Sequence, residues 1–168
     1  NATTDVSTAA AAAPTTGQIL TATSSTTATW QAASGAGKLK QTLFTEITVD
    51  TTTTSTTFVT LLTQAITITS GNVVLVYFST GASNSNNNQQ VRFRLTIDGT
   101  PIRGVGTVSV SGGSNTGSCA LVYRATGLSA GAHTLLIQWN VAANTGRVRP
   151  VTVPDTEHAS LLVQEVIP

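Results

Sequence analysis

The chain predicts an all-β protein, an antiparallel β-sandwich or barrel preceded by an extended N-terminal arm. Three observations carry this. Only 9% of the 168 residues are charged, against roughly 25% in ordinary soluble domains. Thr accounts for 33 of the 168 residues, and many apolar positions are Val, Ile or Ala. β-Branched side chains fit a pleated surface and lose rotamer freedom in helices. Third, about ten short alternating or apolar runs follow one another, separated by turn residues and without a helical period.

The arm comes first. Residues 1–37 lack core-building content, and their Ala9–Ala13 run is far shorter than the roughly 12–15 residues at which a helix stands alone. Within the arm, Leu20, Ala22, Ala28, Trp30 and Ala32 fall on alternate positions around Ser24-Ser25-Thr26-Thr27, which predicts a hairpin with one apolar face. A two-stranded hairpin is marginal alone in water, so Leu20 and Trp30 are candidate assembly residues. Ala33–Gly37 reads as a hinge, and residues 38–168 as the sandwich.

The strands of the sandwich follow in order. Leu43–Val49 alternates, and Thr51–Thr57 separates it from Phe58–Leu62 and Ala65–Thr69. Val73–Phe78 is apolar throughout, Gly81–Gln90 is a polar loop, and Val91–Ile97 alternates cleanly with Arg92 and Arg94 outward. Asp98-Gly99 marks a two-residue hairpin turn, which needs positive φ at both positions. Ile102–Val110 returns, Ser111–Ser118 is a glycine-rich loop, and Cys119–Arg124, His133–Val141, Arg147–Val153 and Ala159–Ile167 complete the set. Connections this short allow only antiparallel neighbours. Val73–Phe78 and Leu161–Val163 are apolar on both faces, so both faces are expected to be buried; a subunit interface supplies the second.

Composition excludes several functions. A net charge of +1 gives no footprint for nucleic acid. No run approaches the roughly 18 apolar residues of a membrane span, and no cationic segment leads into an apolar one as in a secretion signal. The lone Cys119 offers no disulfide framework or thiolate metal set and reads as a buried small hydrophobe.

Few residues suggest chemistry, so no enzyme activity and no cofactor are expected. Asp155, Glu157 and His158 could in principle offer metal ligands. Pro154 before them marks a surface turn and no second cluster completes a site, so they read as a solvated turn. His133 opens an alternating strand, and no Gly-x-Ser-x-Gly nucleophile pattern accompanies it; it reads as a packed strand-end histidine. Trp139 shares alternation with Leu135 and Ile137 and reads as core. Arg92 and Arg94, with Arg103 on the hairpin partner, and the Arg147/Arg149 pair have the spacing to grip a carboxylate-bearing glycan or a neighbouring subunit. The plain reading is a solvated strand face. Asn87, in the Asn86–Asn88 loop, joins Arg92 and Arg94 as a candidate ligand or subunit contact.

Gly17-Gln-Ile-Leu-Thr-Ala-Thr23 followed by Ala28-Thr-Trp-Gln31 resembles a linker element of bacteriophage fibre-type virion proteins, about fifteen residues long. Ser129–Thr134 ahead of an apolar strand, with the Ala159–Val163 ending, is similar in pattern to jelly-roll heads of phage fibres and distantly to the trimeric C1q/tumour-necrosis-factor-like jelly roll. The resemblance implies a non-enzymatic virion structural protein at the virion surface, either a capsid fibre or decoration protein or a tail-fibre tip. It implies a homotrimeric jelly-roll head and an arm bound to other virion proteins, with a host-surface glycan as a further partner. The alternative is a carbohydrate-binding β-sandwich module. Neither involves nucleic acid or membrane insertion.

Overall fold

The structure is a computed structural model that describes residues 15–25, 27–32, 38–69, 71–86, 89–110, 117–148 and 159–167, with backbone alone at 32, 38 and 105–110. The chain divides into two compact units, Asn1–Ala36 and Gly37–Pro168. In the first, β1 (Gln18–Ala22) pairs antiparallel with β2 (Ala28–Ala32), placing Leu20 opposite Trp30 and Ala22 opposite Ala28. This is the expected hairpin. Its turn is tied by the Thr23 N–H donating to the Thr27 carbonyl at 2.9 Å and by a 2.7 Å bond between the Ser24 and Thr27 hydroxyls.

The second unit holds β3 (Lys38–Glu46), β4 (Thr51–Thr53), β5 (Val59–Ile68), β6 (Val73–Asn84) and β7 (Gln89–Ile97). They are followed by β8 (Thr100–Val110), β9 (Gly117–Ala125), β10 (Gly131–Val141), β11 (Gly146–Val148) and β12 (Ser160–Ile167). All pairings are antiparallel. One sheet runs β5-β10-β7-β8; in the other, β12 lies between β3 and β6, and β9 also pairs with β6. β11 pairs with β6 and β4, and the four residues between β3 and β4 are too few to carry the chain across the sheet. β4 and β11 therefore extend the lines of β3 and β12. With these counted as continuations, eight strands in chain order form sheets 1-8-3-6 and 2-7-4-5, a jelly-roll sandwich.

Several boundaries differ from those expected. Leu43–Val49 is replaced by β3, which begins at Lys38 and ends at Glu46, and Thr51–Thr53 forms a strand because it finds β11 to pair with. Phe58–Leu62 and Ala65–Thr69 are not two strands; β5 runs unbroken through Gln64 along β10, with a bulge opposite Ile137/Gln138. Gly81–Gln90 is not wholly a loop. β6 continues to Asn84, with Ala82 and Asn84 buried, because the polar side chains find local partners; Asn84 Nδ2 donates to the Ala143 carbonyl at 3.0 Å. β11 ends at Val148, and the rest of the expected Arg147–Val153 strand lies outside the described residues.

Inward positions of both sheets form one core. Phe78 of one sheet meets Phe93 of the other at 5.4 Å between centroids, and Phe93 stacks on Trp139 at 6.3 Å. Trp139 is thus core, as its alternation predicted, and Cys119 is buried, its thiol pushed up by desolvation. Gly146 is required by close approach, since a Cβ there would stand 2.4 Å from Val141 Cγ1.

One core position is charged. Glu165 follows Leu161 and Val163 on the inward side of β12 and is fully buried. Its Oε1 accepts from the Thr69 N–H at 2.8 Å and from Asn72 Nδ2 at 2.6 Å, and its Oε2 accepts from Gln41 Nε2 at 2.5 Å. Lys40 Nζ stands 3.7 Å away. Burial pushes this carboxyl up, but the Thr69, Asn72 and Gln41 bonds and the Lys40 charge outweigh it, so it titrates below the usual carboxylate range. The carboxylate stitches β12 and β3 of one sheet to the end of β5 in the other.

Candidate functional site

The sandwich presents two outer faces of opposite character. On the β3-β12-β6-β9 sheet, one row across four strands reads Phe44, Leu162, Tyr77, Val122, each opposite the next. Phe44 is 58% exposed, Tyr77 37% and Val122 63%. The row on one side is Thr42, Gln164, Leu75, Arg124, and that on the other is Glu46, Ser160, Ser79, Ala120. An antiparallel sheet with one wet face ordinarily turns polar residues outward. Here Phe44, Tyr77 and Val122 are open in the single chain, while Leu162 and Leu75 are half-buried. The signal was present at Phe44, an aromatic between the outward Thr42 and Glu46, but only register aligns it with Val122.

The outer face of β5-β10-β7-β8 is basic and amide-rich. Pairing sets Asn140 beside Arg92, Gln138 beside Arg94 and Leu136 beside Thr96. Arg94 donates from Nε to Gln138 Oε1 at 2.8 Å and lies over the Phe58 ring at 4.1 Å, a cation–π contact. Arg92 donates from Nε and Nη2 to Gln90 Oε1 at 3.1 and 2.9 Å. The segment leading into β5 covers one side of this face: Asn140 Nδ2 donates to the Thr56 carbonyl at 2.8 Å, and the Val141 N–H to the Ser55 carbonyl at 2.9 Å. Phe58 and Gln138 were not singled out from sequence, since only the fold brings positions 36 and 44 residues away onto Arg94.

The other candidates are dispersed. Leu20 is 42% exposed and half-buried Trp30 faces it across the hairpin. Arg103 stands opposite Leu95, not on the Arg94 row, because a register shift falls between Leu95 and Thr96. Arg147 forms a two-pronged pair with Asp50, through Nε to Oδ1 at 2.6 Å and Nη2 to Oδ2, so its outer edge is already engaged. Asn87, Arg149 and the Asp155–Glu157–His158 cluster lie outside the described residues, as does the Ala33–Gly37 hinge. Among the described residues no three His, Cys, Asp or Glu side chains are grouped to hold a metal.

His133 is a clasp. Asp98 (φ 51°) and Gly99 (φ 78°) make the positive-φ turn expected between β7 and β8. Asp98 Oδ1 accepts from the Thr134 N–H at 2.8 Å, and Oδ2 lies 2.6 Å from His133 Nδ1, while His133 Nε2 lies 2.9 Å from the Ser129 carbonyl. Both ring nitrogens face acceptors, and only the imidazolium donates from each. The bonds to Asp98 and then Ser129 raise the His133 pKa, and those from Thr134 and then His133 lower that of Asp98. The raised His133 therefore contributes stability that is complete below about pH 6.5 and lost as pH rises through its folded value; the lowered Asp98 contributes stability present above about pH 3.9 and lost as pH falls through its own. Unfolding is expected to become easier as pH rises above about 6.5, by less than about 1 kcal/mol because Asp98 is half-exposed and screened. His133→Gln should flatten that slope in thermal melts; an unchanged slope would assign it elsewhere.

These features define an antiparallel jelly-roll sandwich with one apolar row across the outer face of one sheet and a basic, amide-lined outer face on the other. No family model matches the chain, and no curated protein does. Among solved structures, the C-terminal domain of EclA, described as a sugar-binding protein, is similar over 77% of this chain and 84% of its own, at 14% identity and a TM-score of 0.36.

Proposed function

We propose that this chain is a non-enzymatic virion structural protein, a surface fibre or decoration protein, whose head assembles as a homotrimer. The Phe44–Leu162–Tyr77–Val122 row, exposed at Phe44, Tyr77 and Val122, is the observation that carries the reading. A contiguous apolar stripe of this kind marks an interaction surface, and the low charge of the chain favours self-association over a charged partner. Threefold closure follows the likeness in pattern to trimeric jelly-roll heads, and heterologous contacts of one face with a neighbour's flank close into rings. The Leu20–Trp30 hairpin leaves Leu20 open, as expected of a segment that packs on other virion proteins. Several copies on one particle raise avidity for a repeated host-surface glycan without any new contact.

Light scattering on the chain with and without residues 1–36 tests this. Three chains are expected in both forms, each of 17.2 kDa in the full-length one, and the truncated head should stay folded but fail to join particles. A monomer would remove the trimer. A truncated head that joins particles at full occupancy would remove the anchoring role.

A further inference from the structure

We infer that the outward face of β7 and β10, centred on Arg92 and Arg94, binds an acidic saccharide through its carboxylate. The inference concerns the head alone and does not rest on the oligomeric reading. Two guanidinium groups stand at i and i+2 on one strand, about 6.6 Å apart along the backbone. The described carboxylates are all placed elsewhere: Glu165 in the core, Asp50 on Arg147, Asp98 on His133, and Glu46 on the other sheet. The two charges thus share a face with no described counter-ion.

Both groups are held before any ligand arrives. Arg94 rests on the Phe58 ring and donates from Nε to Gln138, while Gln90 holds two nitrogens of Arg92. In each case the glutamine offers its oxygen to the arginine, which leaves its amide N–H groups as donors. Neither the Arg94 Nη atoms nor Arg92 Nη1 has a partner among the described residues. On the same side of the sheet Asn140 Oδ1 and Thr96 Oγ1 are buried without a hydrogen-bond partner among the described residues. Among the described residues, the open hydrogen-bonding capacity of the face is that of the Arg94 and Arg92 nitrogens.

This pattern selects its ligand. A planar fork matches a planar carboxylate through two parallel bonds, where lysines would offer only point charges. The flanking groups are neutral amides, which suit hydroxyls, and the charge of the whole chain is too small to attract a nucleic acid. A carboxylate on a polyhydroxylated scaffold answers both parts of the face.

An NMR titration of the full chain with a galacturonate oligosaccharide tests this, with the neutral galactose oligosaccharide and citrate as comparisons. Saturable shifts at Arg92, Arg94 and Gln138 are expected with the galacturonate, at least tenfold weaker with the neutral sugar and with citrate. Arg94→Gln and Arg94→Lys should each weaken binding by tenfold or more, because the second keeps the charge and loses the fork, whereas Arg124→Gln on the other sheet should leave it unchanged. No saturable shift with galacturonate would overturn the site. Equal binding of citrate would overturn the saccharide, equal binding of the neutral sugar would overturn the carboxylate, and full binding by Arg94→Lys would overturn the fork.

Discussion

Replacing Glu165 with Ala should remove about 2–4 kcal/mol of stability, because it leaves the part-buried Thr69 N–H and the buried Asn72 Nδ2 without this acceptor. Gln41 would lose a third bond but keeps the Thr67 carbonyl, to which its Nε2 also donates at 2.7 Å. Glu165→Gln should cost less than Glu165→Ala, since an amide oxygen can still take the Thr69 and Asn72 bonds while its NH₂ opposes Gln41. Urea midpoints at matched chain concentration rank the two variants, because any association of the folded chain adds to apparent stability. Equal costs would mean that the charge, not the acceptor geometry, holds the site.

The same carboxylate sets the acid limit of the fold. Its pKa is lowered in the folded state, so its contribution is present above the unfolded value of about 4.3 and is lost as pH falls through the folded one. Wild-type stability should therefore decline below about pH 4. Asp98 adds a smaller decline in the same direction, because its side chain is half-exposed. Glu165→Gln should keep only that smaller part, and a variant with the full wild-type acid slope would assign acid sensitivity elsewhere.

The strand-rich class was legible because Thr and the β-branched residues act locally: each fits a pleat wherever the strand ends up. Val91–Ile97 and the Asp98-Gly99 turn were readable for the same reason, as was the Leu20–Trp30 pairing about a polar turn. Sheet order was not readable, because placing β12 between β3 and β6 joins residues far apart in the chain, Leu162 to Phe44 on one side and to Tyr77 on the other. Glu165 gave a signal that composition hid, a carboxylate in phase with Leu161 and Val163. Its partners Asn72 and Gln41 are distant in sequence, so nothing local showed that burial there would be satisfied. Likewise Arg92 and Arg94 were visible as a pair, while the ring and amides that orient them came only with the fold.

Converting the apolar row to charge should separate the copies without unfolding them. In the double variant Phe44→Glu/Val122→Glu, both side chains face solvent in the single chain, so each change should alter the stability of an isolated head by no more than about 0.5 kcal/mol. In an assembled face the same carboxylates would be stripped of water with no cation opposite, at several kcal/mol each. The two states therefore respond very differently, and that difference is the readout. Light scattering should fall from three chains to one chain of 17.2 kDa, while far-ultraviolet circular dichroism keeps its strand signature. Thr60→Glu serves as the control; it registers opposite Gln138 on the other sheet and should leave the mass unchanged. If the double variant keeps the mass of the wild type, this face is not where copies meet. If Thr60→Glu alone dissociates the assembly, the subunits meet through the arginine face, and the saccharide site would be covered in the particle. A drop in mass confined to the double variant would leave that face open, so that each copy in a trimer could present Arg92 and Arg94 outward at the same time.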